Sequence, residues 1–195
     1  MLKKILLLNF LILSLVFTFA NISQAADIKP LSVTAITTRT ESPHWQQNKI
    51  TVYIPKDSKS DSLKRAFLKW QNEMSGKITF EFVTKGPANI DIIWSESVSG
   101  VDGNFGSSSI SASGNKITKA EITFATKGKK QFGNNYAYTV MLHEIGHALG
   151  LSDNPRKMNS IMYNPISDTQ NISSVDLRDL YKIYNWNWGT RRFAN

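Results

Sequence analysis

The stretch that decides the fold is His143-Glu144-Ile145-Gly146-His147-Ala148-Leu149-Gly150-Leu151-Ser152-Asp153. Hydrophobic spacing predicts a helix over 136–149, and residues four apart on a helix lie on one face, about 6 Å apart along the axis. The two imidazoles can therefore reach one metal ion. Gly150 breaks the helix because glycine allows a sharp turn with positive φ. Asp153 then lies where its carboxylate can fold back toward the histidines.

These residue types are the ligands of a catalytic zinc site. Zinc at such sites takes three protein ligands and leaves a position for water. His143, His147 and Asp153 are the candidate ligands. Glu144 follows the first histidine, where it can act on the water as a general base without binding the metal. The segment therefore predicts hydrolytic chemistry.

Composition excludes several other classes of protein. The chain has 195 residues, of which 41% are apolar, and it has no cysteine. The apolar content is enough for one packed domain and excludes a wholly disordered chain. Without cysteine there are no disulfides, thiolate metal sites or cysteine nucleophiles. Any metal must be held by His, Asp, Glu or water.

The first 25 residues are typical of a signal peptide. Lys3 and Lys4 precede an apolar run over 5–20, and Ser23-Gln24-Ala25 supplies small residues for cleavage. The run is shorter than the roughly 20 residues that a membrane span needs. We expect cleavage near Ala25, a secreted, extracellular product and no stable membrane insertion, with a retained anchor as the alternative.

The rest of the chain divides into a segment at 26–43, which resembles a leader or short pro-segment, and a domain at 44–195. The net charge of +8 would fall to +6 after cleavage, because two lysines and no acidic residue are lost. The basic residues are scattered, so we expect no nucleic-acid partner. An electrostatic contact with an anionic cell surface remains open, and we expect a monomer.

Hydrophobic patterns outside the decisive segment predict an α/β or α+β fold with a helix packed on a sheet. Alternation predicts strands over 49–54, 77–84, 89–94 and 117–126. Helical spacing begins at Leu63 and is ended by Gly76. Ser173 or Ser174 is expected to cap a last helix.

The segment HEIGHALGLSD (143–153) resembles the zinc signature of the metzincins, H-E-x-x-H-x-x-G-x-x-H or D. Aspartate in the last position is similar to the snapalysin-like branch of secreted bacterial proteases. Ser160-Ile161-Met162-Tyr163 resembles the Met-turn, in which Met162 would pack beneath the zinc. The order of elements from His44 to Trp186 is similar to that of matrixin catalytic domains.

The resemblance implies an α+β, zincin-like fold with an α/β-type upper subdomain. Its parts would be a twisted, mostly parallel sheet with an antiparallel edge strand, two long helices, the Met-turn and a C-terminal helix. It also implies a secreted zinc endopeptidase that cleaves a protein or peptide substrate through a zinc-activated water, with Glu144 as the general base.

An extended substrate would then add to the sheet along an edge strand at 106–112. The segment after the Met-turn would line the pocket beside the zinc. The candidate substrate contacts are Ser108, Ser109, Ile110, Asn164, Pro165 and Ile166.

Several departures from the family pattern limit what carries over. Matrixins hold a second zinc with extra histidines in the glycine-rich segment, and this chain has none there, so we predict one zinc ion. Asp102-Gly103-Asn104 could contact calcium but is more typical of a turn. The zinc-binding tyrosine of astacin-like enzymes lies two residues after the methionine, where this chain has Asn164. Tyr163 is therefore not counted as a ligand.

Two other functions stay open on the sequence alone. One is an inactive metal-binding module for surface interactions, although a site without catalysis would not need the unligated carboxylate of Glu144. The other is a zinc hydrolase of a non-peptide bond. His44 is expected at the surface near the first strand, and Trp186 and Trp188 are expected to pack at the end of the last helix.

Overall fold

The computed structural model describes residues 42–98, 105–126, 134–166 and 170–188. The predicted signal peptide at 1–25, most of the leader at 26–43 and the candidate calcium residues at 102–104 lie outside these ranges. The division of the chain into these parts stays a prediction. Among the described helices, none combines the length and the apolar character needed to cross a membrane.

Five strands and three helices make up the described fold. The strands are β1 (Lys49–Tyr53), β2 (Thr79–Val83), β3 (Ile90–Ser95), β4 (Gly106–Ser113) and β5 (Lys116–Ala125). The helices are α1 (Ser60–Glu73), α2 (Asn134–Ala148) and α3 (Ser174–Ile183). The predicted elements are confirmed, with ends that differ by a few residues. Helix α1 ends three residues before Gly76, because Ser75 already has a positive φ of 56°.

The strands form one mixed sheet in the order β2-β1-β3-β5-β4. All neighbouring pairs are parallel except β4, which runs antiparallel to β5 at one edge. This confirms the expected α+β fold with an antiparallel edge strand. Apolar side chains alternate along the strands, so that Ile50, Ile92 and Ile122 are buried on one face of the sheet.

Two buried tryptophans fix the position of α2. Trp70 of α1 donates its indole N–H to the carbonyl of Leu142 at 2.9 Å. Trp45 donates to the carbonyl of Ala148, at the end of the same helix, at 2.8 Å. Each bond satisfies a polar atom inside the core and ties α2 to a different part of the chain. The helix that carries both candidate histidines is therefore held along its C-terminal half.

Helix α3 closes the domain and begins with a capping box. The Ser173 hydroxyl accepts from the N–H of Val175 at 3.2 Å, and the Asp176 carboxylate accepts from the N–H of Ser173 at 2.7 Å. This confirms a serine cap and assigns it to the first of the two candidates. Asp176 is buried and also accepts from the N–H of Ile161 at 3.1 Å. The start of α3 is thus bonded to the segment at 160–163.

Gly150 turns the chain at the end of α2, as predicted. Its φ is +99°, and a Cβ placed there would lie 2.3 Å from the carbonyl oxygen of Pro43. Any larger residue would meet both backbone strain and a backbone atom that cannot easily move. The N–H of Leu151 bonds to the carbonyl of Gly146 at 3.0 Å and completes the turn.

We predict that Gly150→Ala lowers the free energy of unfolding by about 2–5 kcal/mol, the sum of left-handed strain and overpacking. Gly114→Ala is the matched control, because Gly114 has a φ of +61° and a Cβ added there would meet no atom within 4 Å. Gly114→Ala should lower the free energy of unfolding by only about 1–2 kcal/mol. Urea denaturation measures both, and equal losses would contradict the close approach to Pro43.

Candidate metal centre

The two histidines of α2 point their Nε2 atoms at each other. These atoms are 3.0 Å apart. Behind each ring, Nδ1 lies against a backbone carbonyl: His143 Nδ1 is 2.8 Å from the oxygen of Ile161, and His147 Nδ1 is 2.9 Å from that of Leu151. A carbonyl oxygen can only accept, so each Nδ1 carries the hydrogen and donates it.

A neutral imidazole with its hydrogen on Nδ1 has a bare lone pair on Nε2. Burial, and after it the positive charge that His147 can carry, lower the pKa of His143 below its ordinary value, so this ring is neutral near pH 7. When both rings are neutral, two lone pairs face each other at 3.0 Å and repel unless a cation lies next to both. The rings are therefore arranged for a metal ion.

Asp153 completes the group. Its Oδ1 lies 3.2 Å from His143 Nε2 and 3.4 Å from His147 Nε2. One ligand atom from each of the three side chains lies within 4.8 Å of the others. Tetrahedral zinc with ligands at about 2.0–2.1 Å would place neighbouring ligand atoms about 3.3 Å apart. The measured separations and the nitrogen and oxygen donors therefore fit zinc.

Glu144 lies beside this group with its carboxylate free. Its side chain is buried, and it accepts no hydrogen bond from any residue in the described ranges. It lies against the start of β4, where a Cβ on Gly106 would be 2.7 Å from Glu144 Cγ and 3.2 Å from its Oε1. Most of the side chain is enclosed, but the unpaired carboxylate oxygens remain accessible to solvent, so they can contact a water molecule at the site.

Met162 packs directly against α2 between the two histidines. It is buried, and a Cβ on Gly146 would lie only 2.4 Å from its Sδ. The helix can approach the thioether this closely only because Gly146 has no side chain. The tight turn around it is closed by the N–H of Tyr163, which donates to the carbonyl of Ser160 at 3.1 Å. The segment at 160–163 is therefore a tight turn beneath α2, the place that the expected fold gives to the Met-turn.

Asp176 is a residue of the site that sequence reasoning missed. Its carboxylate accepts hydrogen bonds from the N–H of Ile161 and from the Ser160 hydroxyl. The carbonyl of Ile161 in turn accepts from the His143 ring. The orientation of His143 therefore depends on the first turn of α3. The spacing from Ser173 to Asp176 could have revealed the capping box, but no sequence signal indicates the reach to Ile161.

The candidate substrate contacts on β4 divide between two faces. Ser108 and Ile110 lie opposite Ile122 and Ala120, and so share the face that packs toward the helices. Ser109 lies on the other face, where only its backbone could meet a substrate in the cleft. Ile110 is 39% exposed, consistent with an open edge strand. A role of these residues in substrate binding stays a prediction.

The residues after the Met-turn have three different environments. Asn164 donates its amide to Asp153 Oδ2 at 3.2 Å, so it contacts a candidate ligand. Pro165 is exposed, and Ile166 packs against the core. Their lining of a substrate pocket also stays a prediction.

The other singled-out residues lie apart from the ligand group. His44 is half-buried, with its ring centroid 5.1 Å from that of Tyr184. Trp186 stacks on Tyr184, and Trp188 packs edge-on against Tyr181. His44 does not belong to the group formed by the two α2 histidines and Asp153.

Comparison with known families agrees with this geometry. The matrixin family model matches residues 39–185, about three quarters of the chain. No curated protein matches the chain. The matched range includes the whole described sheet, the three helices and the side chains of His143, His147 and Asp153. The chain therefore belongs to the matrixin family of zinc-dependent metallopeptidases.

Proposed function

We propose that the protein is a secreted zinc endopeptidase in which Glu144 is the general base. The observation that carries this proposal is the pairing of two features. A largely buried glutamate, whose solvent-accessible carboxylate has no hydrogen-bond donor among the described residues, lies beside three ligand atoms that converge within 4.8 Å. Metal-assisted hydrolysis needs these two features together.

His143, His147 and Asp153 would hold the zinc. When bound, zinc supplies Lewis acidity toward water and toward a substrate carbonyl. The carbonyls of Ile161 and Leu151 hold the two rings so that each Nε2 faces the site. These bonds fix the tautomer that a metal ligand requires and make the rings more basic ligands.

Glu144 would take a proton from water and pass it to the leaving amine. A general base must reach its proton within hydrogen-bond distance, and its oxygens must not be occupied by protein donors. Glu144 meets the second condition, since no described residue donates to it. Because protein atoms surround most of this side chain, its interaction with positive charge that develops nearby is stronger than it would be in open water.

The edge of the sheet favours a peptide as substrate. Among the described strands, β4 has a neighbour on one side only, so its other side offers backbone N–H and C=O groups for pairing. An extended peptide can add there as a further strand. Because β4 begins at Gly106, beside Glu144, such a peptide would run past the proposed base.

Export would bring the enzyme to its substrates. The support for export is the sequence at the start of the chain, where two lysines precede an apolar run that is too short for a stable span. Sequencing the N-terminus of the exported protein tests cleavage after Ala25.

We predict that Glu144→Gln lowers peptide hydrolysis by about 10²–10⁴-fold, because the amide cannot accept the proton, while bound zinc is unchanged. Residues 26–195 would be assayed on a library of quenched-fluorescent peptides. Glu121→Gln is the control, since Glu121 is exposed on the other face of the sheet.

An active Glu144→Gln protein would refute the role of the base. A parent protein that binds zinc but cleaves no peptide would instead favour a non-peptide substrate or a binding role.

We predict that Asp153→Ala weakens zinc binding by more than about 100-fold, since loss of an indirect partner alone costs 10–100-fold. Competition with a chromophoric chelator measures the zinc Kd. Asp179→Ala is the control, because Asp179 is an exposed acidic residue on α3. An unchanged Kd for Asp153→Ala would show that another group supplies the third ligand.

We predict that Gly106→Ala lowers kcat by up to about 10²-fold, with the zinc Kd unchanged. The added methyl group would overlap Glu144 Cγ and Val140 Cγ1, each 2.7 Å from the position of the new Cβ, and would displace the carboxylate. Gly114→Ala, at the tip of the β4–β5 hairpin, is the control. A kcat equal to that of the parent would contradict the proposed position of the base.

A further inference from the structure

We infer that Asn164 is a positioning residue for the metal centre, which it serves by orienting Asp153; this inference rests on the proposed zinc site. The two oxygens of the Asp153 carboxylate have different partners. Oδ1 faces the Nε2 atoms of His143 and His147, at 3.2 and 3.4 Å. Oδ2 accepts a hydrogen bond from the Asn164 amide at 3.2 Å. The amide therefore orients the carboxylate so that its other oxygen faces the two histidines.

The partner behind each ligand matches the chemistry of that ligand. An imidazole ligand has an N–H on its far side and needs an acceptor, and both histidines find a backbone carbonyl. A carboxylate ligand has a second oxygen on its far side and needs a donor. Asn164 supplies this donor from its side-chain NH2 group. An acceptor at position 164 would suit a histidine at 153, and a donor suits the aspartate that is present.

Asp153 depends on such a partner more than the histidines do. It lies in an irregular segment after α2, and its side chain is 45% exposed. The N–H of Asn154 donates to the carbonyl of Met162 at 2.7 Å, which holds the backbone of this segment against the Met-turn. That bond leaves the side-chain torsions of Asp153 free. Asn164, two residues after Met162, supplies the bond that restricts them.

The test asks whether Asn164→Asp has opposite effects on the zinc Kd in the parent protein and in an Asp153→His variant. In the parent, Asn164→Ala should weaken the zinc Kd by about 10–100-fold. Asn164→Asp should weaken it at least as much, because two carboxylates would then face each other. In an Asp153→His background, the same Asn164→Asp change should tighten zinc binding, because the new carboxylate can accept from the Nδ1–H of the histidine.

Chelator competition gives each zinc Kd, and urea denaturation of the metal-free proteins checks their folding. Asn72→Ala is the control, since Asn72 is an exposed asparagine on α1. A parent that binds zinc with a Kd that Asn164→Ala leaves unchanged would overturn the inference and leave the proposed function standing. Asn164→Asp that weakens zinc binding equally in both backgrounds would also overturn it. A parent that binds no zinc would overturn the proposed function itself.

Discussion

The candidate metal centre depends on two imidazole Nε2 atoms held face to face. His143 and His147 lie one turn apart on α2, and their Nε2 atoms are 3.0 Å apart. Carbonyl groups behind both rings prevent either ring from turning its N–H toward the other. When both rings are neutral the lone pairs repel, and a cation bound between them would remove that repulsion. The fold preserves this arrangement because the rest of the domain holds α2 and both carbonyls in place.

Each of these supports comes from a different part of the chain. Trp70 and Trp45 bond to carbonyls of α2 and fix the helix on the core. The turn at Gly150 brings the carbonyl of Leu151 behind His147. Asp176, at the start of α3, holds the segment whose Ile161 carbonyl lies behind His143. The site is therefore a product of the whole domain, although its ligands lie within a short stretch of sequence.

Sequence reasoning succeeded where the relevant spacing is local. The helical period placed the histidines on one face, the alternation of apolar residues predicted the strands, and Gly150 has the positive φ that its position required. These features depend on neighbours within a few residues, so their pattern is visible without the fold. The ends of the elements, such as the early end of α1, depend on backbone strain at Ser75 that no period reveals.

The missed contacts join residues that are distant in sequence and have no periodic relation. Asp176 reaches Ile161 across 15 positions, and Asn164 reaches Asp153 across 11. Asn164 in particular is predicted from the sequence to line a substrate pocket because it follows the Met-turn, whereas its amide bonds to a candidate ligand. Only the path of the folded loops shows which polar side chains meet behind the metal site.

The most direct test of the proposed metal centre is X-ray absorption at the zinc edge on the zinc-loaded protein. We expect four nitrogen and oxygen neighbours at about 2.0–2.1 Å, with the multiple-scattering pattern of two imidazoles. A first shell of about six oxygens without imidazole scattering would contradict this expectation. The two facing histidines would then not be the metal site.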